Sequence, residues 1–122
     1  MSGPGVPTRG LDPPGEQLRR EVGARVGVEN IYKRAKTEAH YPANRFLGMV
    51  VEMGGLATAR YLLHAEKVSD GYTALWERGR LDLTVEAMIL DAKWRPLFAD
   101  DERAIAVARL QQYGYSGPLP AN

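Results

Sequence analysis

Apolar residues recur at intervals of three and four along most of this chain, and glycine or proline interrupts the pattern at short distances. Two neighbouring stretches show it: Phe46, Met49, Val50 and Met53, then Leu56, Ala59, Leu62 and Leu63. This spacing places apolar side chains on one face of a helix, whereas a half-buried strand needs alternation every two residues. The sequence therefore predicts an all-α fold, a compact bundle of five to seven short helices.

Helix boundaries follow from capping and terminating residues. Ser69 and Thr84 are suitable N-caps, because a hydroxyl accepts a hydrogen bond from an unpaired amide of the first turn. Gly27 and Gly79 are suitable stops. Leu18, Val22 and Val26 form one apolar stripe on the first helix. The predicted helices cover residues 16–26, 28–38, 42–53, 56–65, 70–78, 85–90 and 100–113, with an irregular link around Trp94, Leu97 and Phe98.

The ends of the chain differ in composition from its middle. Residues 1–15 contain four prolines and four glycines, which disfavour both helix interiors and sheet ladders. We predict an extended arm over residues 1–15, one helical domain over residues 16–115 and a tail over residues 116–122. A chain of 122 residues is long enough for one hydrophobic core.

Composition excludes several classes of protein. The chain is 44% hydrophobic, has a formal net charge of +1 and contains no cysteine. Disulfides, thiol catalysis and cysteine-based zinc sites are therefore absent. No apolar run approaches the roughly 18 residues that a membrane span requires. These features predict a cytoplasmic protein that does not associate with membranes.

Residues 69–86, SDGYTALWERGRLDLTVE, hold the highest density of residues suited to recognition, and we call them the 69–86 hairpin. Tyr72 and Trp76 stand one helical turn apart, beside Arg78 and Arg80. Aromatic anchors bordered by arginine are typical of protein interfaces. The pattern predicts a partner-binding surface at Tyr72, Trp76, Arg78 and Arg80, although core packing explains the two rings as well.

A second interpretation is nucleic-acid binding, which depends on clustered positive charge. Six basic residues lie close together near the N-terminus: Arg19, Arg20, Arg25, Lys33, Arg34 and Lys36. A solvated helix face explains them equally well. The two helices joined by residues 79–83 also resemble a helix-turn-helix, but the second helix, residues 84–90, offers Glu86 and no Arg, Lys, Asn or Gln to contact base edges.

A third interpretation is a metal-dependent enzyme that uses clustered carboxylates. Asp70, Glu77, Asp82 and Glu86 occur within the 69–86 hairpin, and paired carboxylates can bind magnesium or share a proton. The arginines among them favour internal ion pairs instead. His40 and His64 match no triad or metal-ligand spacing. We therefore predict no catalytic residue, no metal and no cofactor.

Four segments are similar to a family of small, largely uncharacterised bacterial all-helical proteins. They are SDGYTALWERGRLDLTVE, RFLGMVVEMGG, LATARYLL and RLQQYGY, and the resemblance covers residues 31–115. It implies a context alongside bacterial nucleases and defence systems and no catalytic residues. Ala99 departs from the family, which places a capping Thr or Ser there. Together, residues and resemblance predict a non-catalytic binding or accessory module whose partner is another protein.

Overall fold

The computed structural model describes residues 14–119, which contain six α-helices and two 3₁₀ turns. The helices are α1 Pro14–Glu38, α2 Asn44–Met53, α3 Gly55–His64, α4 Asp70–Glu77, α5 Val85–Leu90 and α6 Asp100–Gln112. The 3₁₀ turns span Leu81–Leu83 and Arg95–Leu97. No strand occurs between residues 14 and 119, and the predicted all-α fold is confirmed. Residues 1–13 of the predicted arm and 120–122 of the predicted tail lie outside the described residues. The prediction that residues 14 and 15 belong to an extended arm is wrong, because α1 begins at Pro14.

The predicted division of residues 16–38 into two short helices is wrong, because α1 runs unbroken through Gly23 and Gly27. Gly27 is buried where α1 passes the segment after α5. A Cβ there would lie 3.0 Å from the Trp94 ring and 2.8 Å from the Met88 sulfur. Glycine at this position permits close packing, and the sequence pattern does not distinguish that use from helix termination.

The end of α1 lies where Pro42 predicts it. His40 takes a positive φ of 55°, and the Tyr41 amide donates to the Ala35 carbonyl at 2.9 Å. This pattern satisfies a carbonyl of the last helical turn. The next helix begins at Asn44, two residues after the predicted start at Pro42.

Both predicted hydroxyl caps are confirmed. Ser69 Oγ accepts from the Tyr72 amide at 3.1 Å, and Thr84 Oγ1 accepts from the Ala87 amide at 3.2 Å. Ala99, which has no side-chain acceptor, precedes α6. There the Glu102 carboxylate accepts from the Ala99 amide at 2.9 Å, so one half of a capping box remains.

The start of α3 is capped from another helix. Glu21 on α1 accepts hydrogen bonds from the amides of Gly55, at 2.8 Å, and Leu56, at 3.1 Å. The two helices touch closely here, since a Cβ at Gly55 would lie 2.6 Å from the Arg25 backbone. This cross-helix cap fixes the α2–α3 corner against the first half of α1.

Most of the core lies between the second half of α1 and helices α3, α5 and α6, with Val28, Leu63, Ile89 and Leu110 fully buried. A smaller cluster joins Ala35, Ala39, Leu75 and Leu83 beneath Tyr41. The stripe predicted on the first half of α1 faces outward instead: the exposed fractions of Leu18, Val22 and Val26 are 64%, 54% and 54%.

Within residues 14–119, no single helix combines the length and the apolar composition that a membrane crossing requires. α2 and α3 satisfy both criteria only when taken together, and they meet at a bend of 120°.

Candidate functional site

Tyr72 is a core residue. Its side chain is 2% exposed, its hydroxyl donates to the Arg109 carbonyl at 3.2 Å, and its ring packs edge-on against Tyr113. Burial raises the pKa of the Tyr72 hydroxyl. The prediction that Tyr72 belongs to an exposed recognition surface is wrong, because the inner face of α4 turns the ring toward α6.

Trp76 retains an exposed face. Its ring is 45% exposed and packs edge-on against Tyr113, with ring centroids 5.7 Å apart. The indole nitrogen donates to the Tyr113 carbonyl at 3.1 Å, so the polar edge of the ring is already occupied. Trp76 therefore offers only an apolar ring face to solvent.

Arg78 fastens the 69–86 hairpin to the end of α1. Its guanidinium donates to the Ala39 carbonyl at 3.2 Å and to the Ala74 carbonyl at 2.9 Å, and it lies 5.2 Å from the centre of the Tyr41 ring. The two hydrogen bonds satisfy carbonyls near the C-terminal ends of α1 and α4, and the Tyr41 contact adds a cation–π interaction.

Arg80 is engaged by two carboxylates. It bonds Asp82 through two nitrogens, at 2.9 and 3.0 Å, and Glu38 at 2.6 Å. Arg34 donates to the same Glu38 at 2.9 Å. Hydrogen bonds from Arg34 and then from Arg80 lower the pKa of Glu38 to about 2. Arg78 and Arg80 thus serve contacts within the chain, and Trp76 alone of the four predicted residues keeps a large exposed apolar area.

The six basic residues of the nucleic-acid interpretation all lie on α1, where most of them contact nearby acids. Arg19 and Arg20 approach Glu16, Arg25 approaches Glu29, and Arg34 approaches Glu38 and Asp82. Among the described residues, Lys33 and Lys36 form no ion pair. The acidic partners lower the net positive charge of this surface. Phosphate binding depends on that positive charge.

The four carboxylates of the enzyme interpretation do not converge. Asp70 is exposed near Arg45, Glu77 is exposed, Asp82 binds Arg80, and Glu86 is buried. Between residues 14 and 119, no group of three or more histidine or acidic side chains is placed to hold a metal ion. The convergence that the enzyme interpretation requires does not occur among the described residues, and Asp82 instead forms the kind of internal ion pair that the neighbouring arginines favoured.

Glu86 forms a buried ion pair that the sequence did not predict. Its carboxylate lies 2.9 Å from the Arg109 guanidinium, and both side chains are largely withdrawn from solvent. Arg109 also donates to the Leu62 carbonyl at 3.2 Å and the Ala65 carbonyl at 2.7 Å. Burial raises the pKa of the Glu86 carboxyl, and the Arg109 hydrogen bond opposes that shift.

A second ion pair holds α3 against α6. Glu102 is buried and accepts from Arg60 at 3.0 Å, while His64 lies 3.3 Å away. Burial raises the pKa of Glu102. The interactions with the Ala99 amide, His64 and Arg60 lower this pKa by a larger amount, so the net shift is downward. Both oxygens of this carboxylate are engaged by groups of the same chain.

A cleft of about 310 Å³ opens beside the inner face of the 69–86 hairpin. Its walls come from α1, α2, α3, α4 and the start of α5. They are mainly apolar, and include Ile31, Ala35, Phe46, Leu62, Leu75 and Leu83. Clefts of this size with apolar walls and few polar groups are the usual form of ligand sites.

The charged groups of the cleft divide into two sets. Charged side chains that reach solvent line it at Arg45, Lys67 and Asp70, and we call these three the mouth. Glu86 lies among the buried residues of the lining, where Arg109 balances its charge. The apolar interior is therefore bordered by charge on the solvent side.

The residues of the cleft are far apart in sequence, which is why no motif indicated it. Ala35, Phe46 and Leu62 each fit the apolar face of a predicted helix, and Leu83 lies in the predicted link before Thr84. All four look like ordinary core residues. Only the relative placement of the helices shows that their side chains leave space between them. Proteins pack their interiors densely, so an open apolar volume of this size is informative.

No protein-family model, curated protein or solved structure matches the chain. The resemblance to small bacterial helical proteins therefore stays a prediction.

Proposed function

We propose that this chain is a non-catalytic binding module that holds an apolar group in the cleft. The observation that carries the proposal is the cleft itself: about 310 Å³ of space with predominantly apolar walls and charged groups at its mouth. Two of the four hairpin carboxylates, Asp82 and Glu86, are instead used in ion pairs with Arg80 and Arg109.

Burial of apolar surface supplies the binding free energy in this proposal. Each Å² of apolar surface removed from water contributes about 25 cal/mol. A ligand that covers Ile31, Phe46 and Leu75 gains this contribution without displacing a buried hydrogen bond, because these side chains carry no polar atoms.

Filling the cleft tests the proposal. Gly71 lines it, and a Cβ there would meet the Tyr41 ring only at 3.7 Å, an ordinary contact distance. We expect Gly71→Leu to remain folded and to lose most of the affinity for octanol, a neutral apolar probe. Octanol binding is followed by methyl NMR shifts of Leu62, Val68 and Leu83.

The matched control is Ala104→Leu, which adds a large side chain at an exposed position of α6 outside the cleft. It should bind octanol as the unmodified chain does. Ala35→Leu, which fills the cleft from α1, provides a second filled variant. The proposal fails when octanol shifts no cleft resonance, or when both filled variants bind it normally.

A second candidate function is docking of another protein at Trp76. The observation that favours it is the 45% exposed ring whose indole nitrogen is already bonded, so docking would cover apolar surface only. The test compares proteins captured by the unmodified chain, Trp76→Ala and the control Tyr61→Ala. Partners lost after Trp76→Ala but kept after Tyr61→Ala would support docking at Trp76, whereas partners that remain after Trp76→Ala would rule it out.

A further inference from the structure

We infer that the ligand of the cleft is a small amphiphile with one anionic head group, such as a carboxylate attached to an aliphatic body. This inference rests on the proposed function and specifies the chemistry of the ligand. The cleft interior supplies the site for the apolar body, and the mouth formed by Arg45, Lys67 and Asp70 supplies the site for the head group.

The mouth carries two cations and one anion, and its cations are weakly engaged. Arg45 approaches Asp70 at 3.9 Å, with side chains that are 89% and 96% exposed. An exposed pair at this distance contributes little, because water screens both charges. Lys67 forms no ion pair with any residue between 14 and 119. A ligand carboxylate at the mouth is therefore attracted by two cations, Arg45 and Lys67, and repelled by one anion, Asp70.

The interior disfavours the opposite orientation. A carboxylate pushed inward would lose its hydration among Ile31, Ala35 and Leu75, and the desolvation of an unpaired charge is costly. Glu86 is the acidic side chain of that wall, and the adjacent Arg109 is already committed to Glu86 and to two backbone carbonyls. The head group consequently lies at the solvent side.

The inference is tested with three probes that share one aliphatic chain: octanoate, octanol and octylamine. We expect octanoate to bind about fivefold more tightly than octanol at low salt, the fold-change that a solvent-exposed ion pair supplies at its upper range. Octylamine should bind most weakly. The preference for octanoate should shrink as added salt screens the mouth.

The matched variant is the double substitution Arg45→Gln with Lys67→Gln. It removes both cations of the mouth and leaves the apolar walls unchanged. Octanol should bind this variant as it binds the unmodified chain, while the octanoate preference should disappear. A control pair, Lys33→Gln with Lys36→Gln, removes two exposed cations of α1 that do not line the cleft and should preserve the preference.

The outcomes separate the two proposals. Octanol binding without any preference for octanoate overturns the inference and leaves the proposed function standing. A preference for octylamine, or an octanoate preference that survives loss of Arg45 and Lys67, also overturns it. Failure of all three probes to shift cleft resonances overturns both.

Discussion

The outer and inner faces of the 69–86 hairpin use similar residues in different ways. On the outer face, Arg80 shares Glu38 and Asp82 where water reaches all three groups. On the inner face, Arg109 of α6 meets Glu86 where both side chains are nearly hidden from water. Coulomb attraction and desolvation are both small on the exposed face and both large on the buried one.

The comparison shows that a high density of charged and aromatic residues does not by itself mark a binding surface. On the outer face these residues tie α4 to α1 and α6, through Arg78 and Trp76. Open space occurs on the inner face, where Leu75 and Leu83 line the cleft. The hairpin thus contributes to the candidate site mainly through its apolar residues.

The largest expected effect is on the inner face. Arg109→Ala leaves the Glu86 carboxylate buried without its cation, and we expect a loss of about 3–5 kcal/mol in the free energy of unfolding at neutral pH. Urea unfolding measures the loss. Arg80→Ala is the outer-face counterpart and should cost clearly less. Equal losses for the two variants would remove the distinction between the faces. Replacing both Glu86 and Arg109 with leucine should recover part of the stability, because it removes the unpaired charge but still deprives the Leu62 and Ala65 carbonyls of their donor.

A smaller effect is expected from Tyr72→Phe. The variant keeps the buried ring and deletes the hydroxyl that donates to the Arg109 carbonyl at 3.2 Å. We expect a loss of about 0.5–1.5 kcal/mol, measured by urea unfolding. Tyr61→Phe, which deletes the hydroxyl of an exposed ring on α3, is the control and should change the free energy by less than about 0.5 kcal/mol. A larger loss from Tyr61→Phe would contradict the assignment of Tyr72 to the core.

The smallest effect concerns acid stability at the outer face. The folded-state pKa of Glu38 is about 2, below its ordinary value of 4.5. Its contribution to stability is therefore complete above pH 4.5 and is lost as the pH falls toward 2. Glu38→Gln should flatten the decline of the urea midpoint across that range. An unchanged pH profile in this variant would show that Arg34 and Arg80 do not stabilise the carboxylate in solution.

Local chemistry explains what the sequence predicted correctly. The caps at Ser69 and Thr84 depend on residues three positions apart, and the helix faces depend on spacing within one turn. The errors concern contacts between distant segments. Gly27 is a residue typical of a helix end, but here it lies inside α1 because Trp94 packs closely against it. Tyr72 fits both an exposed and a buried face, and only the position of α6 decides between them. The partner of Glu86 lies on α6, beyond the reach of any local pattern.

Glu102 links α3 to the start of α6 through a single carboxylate. It accepts from the Ala99 amide at the start of α6 and from Arg60 on α3. Fraying of the first turn of α6 would therefore also break the ion pair between Glu102 and Arg60 on α3. Movement of α3 would in turn displace the Glu102 carboxylate that caps α6. We therefore expect the two segments to open to solvent together, with similar opening free energies in native-state hydrogen exchange.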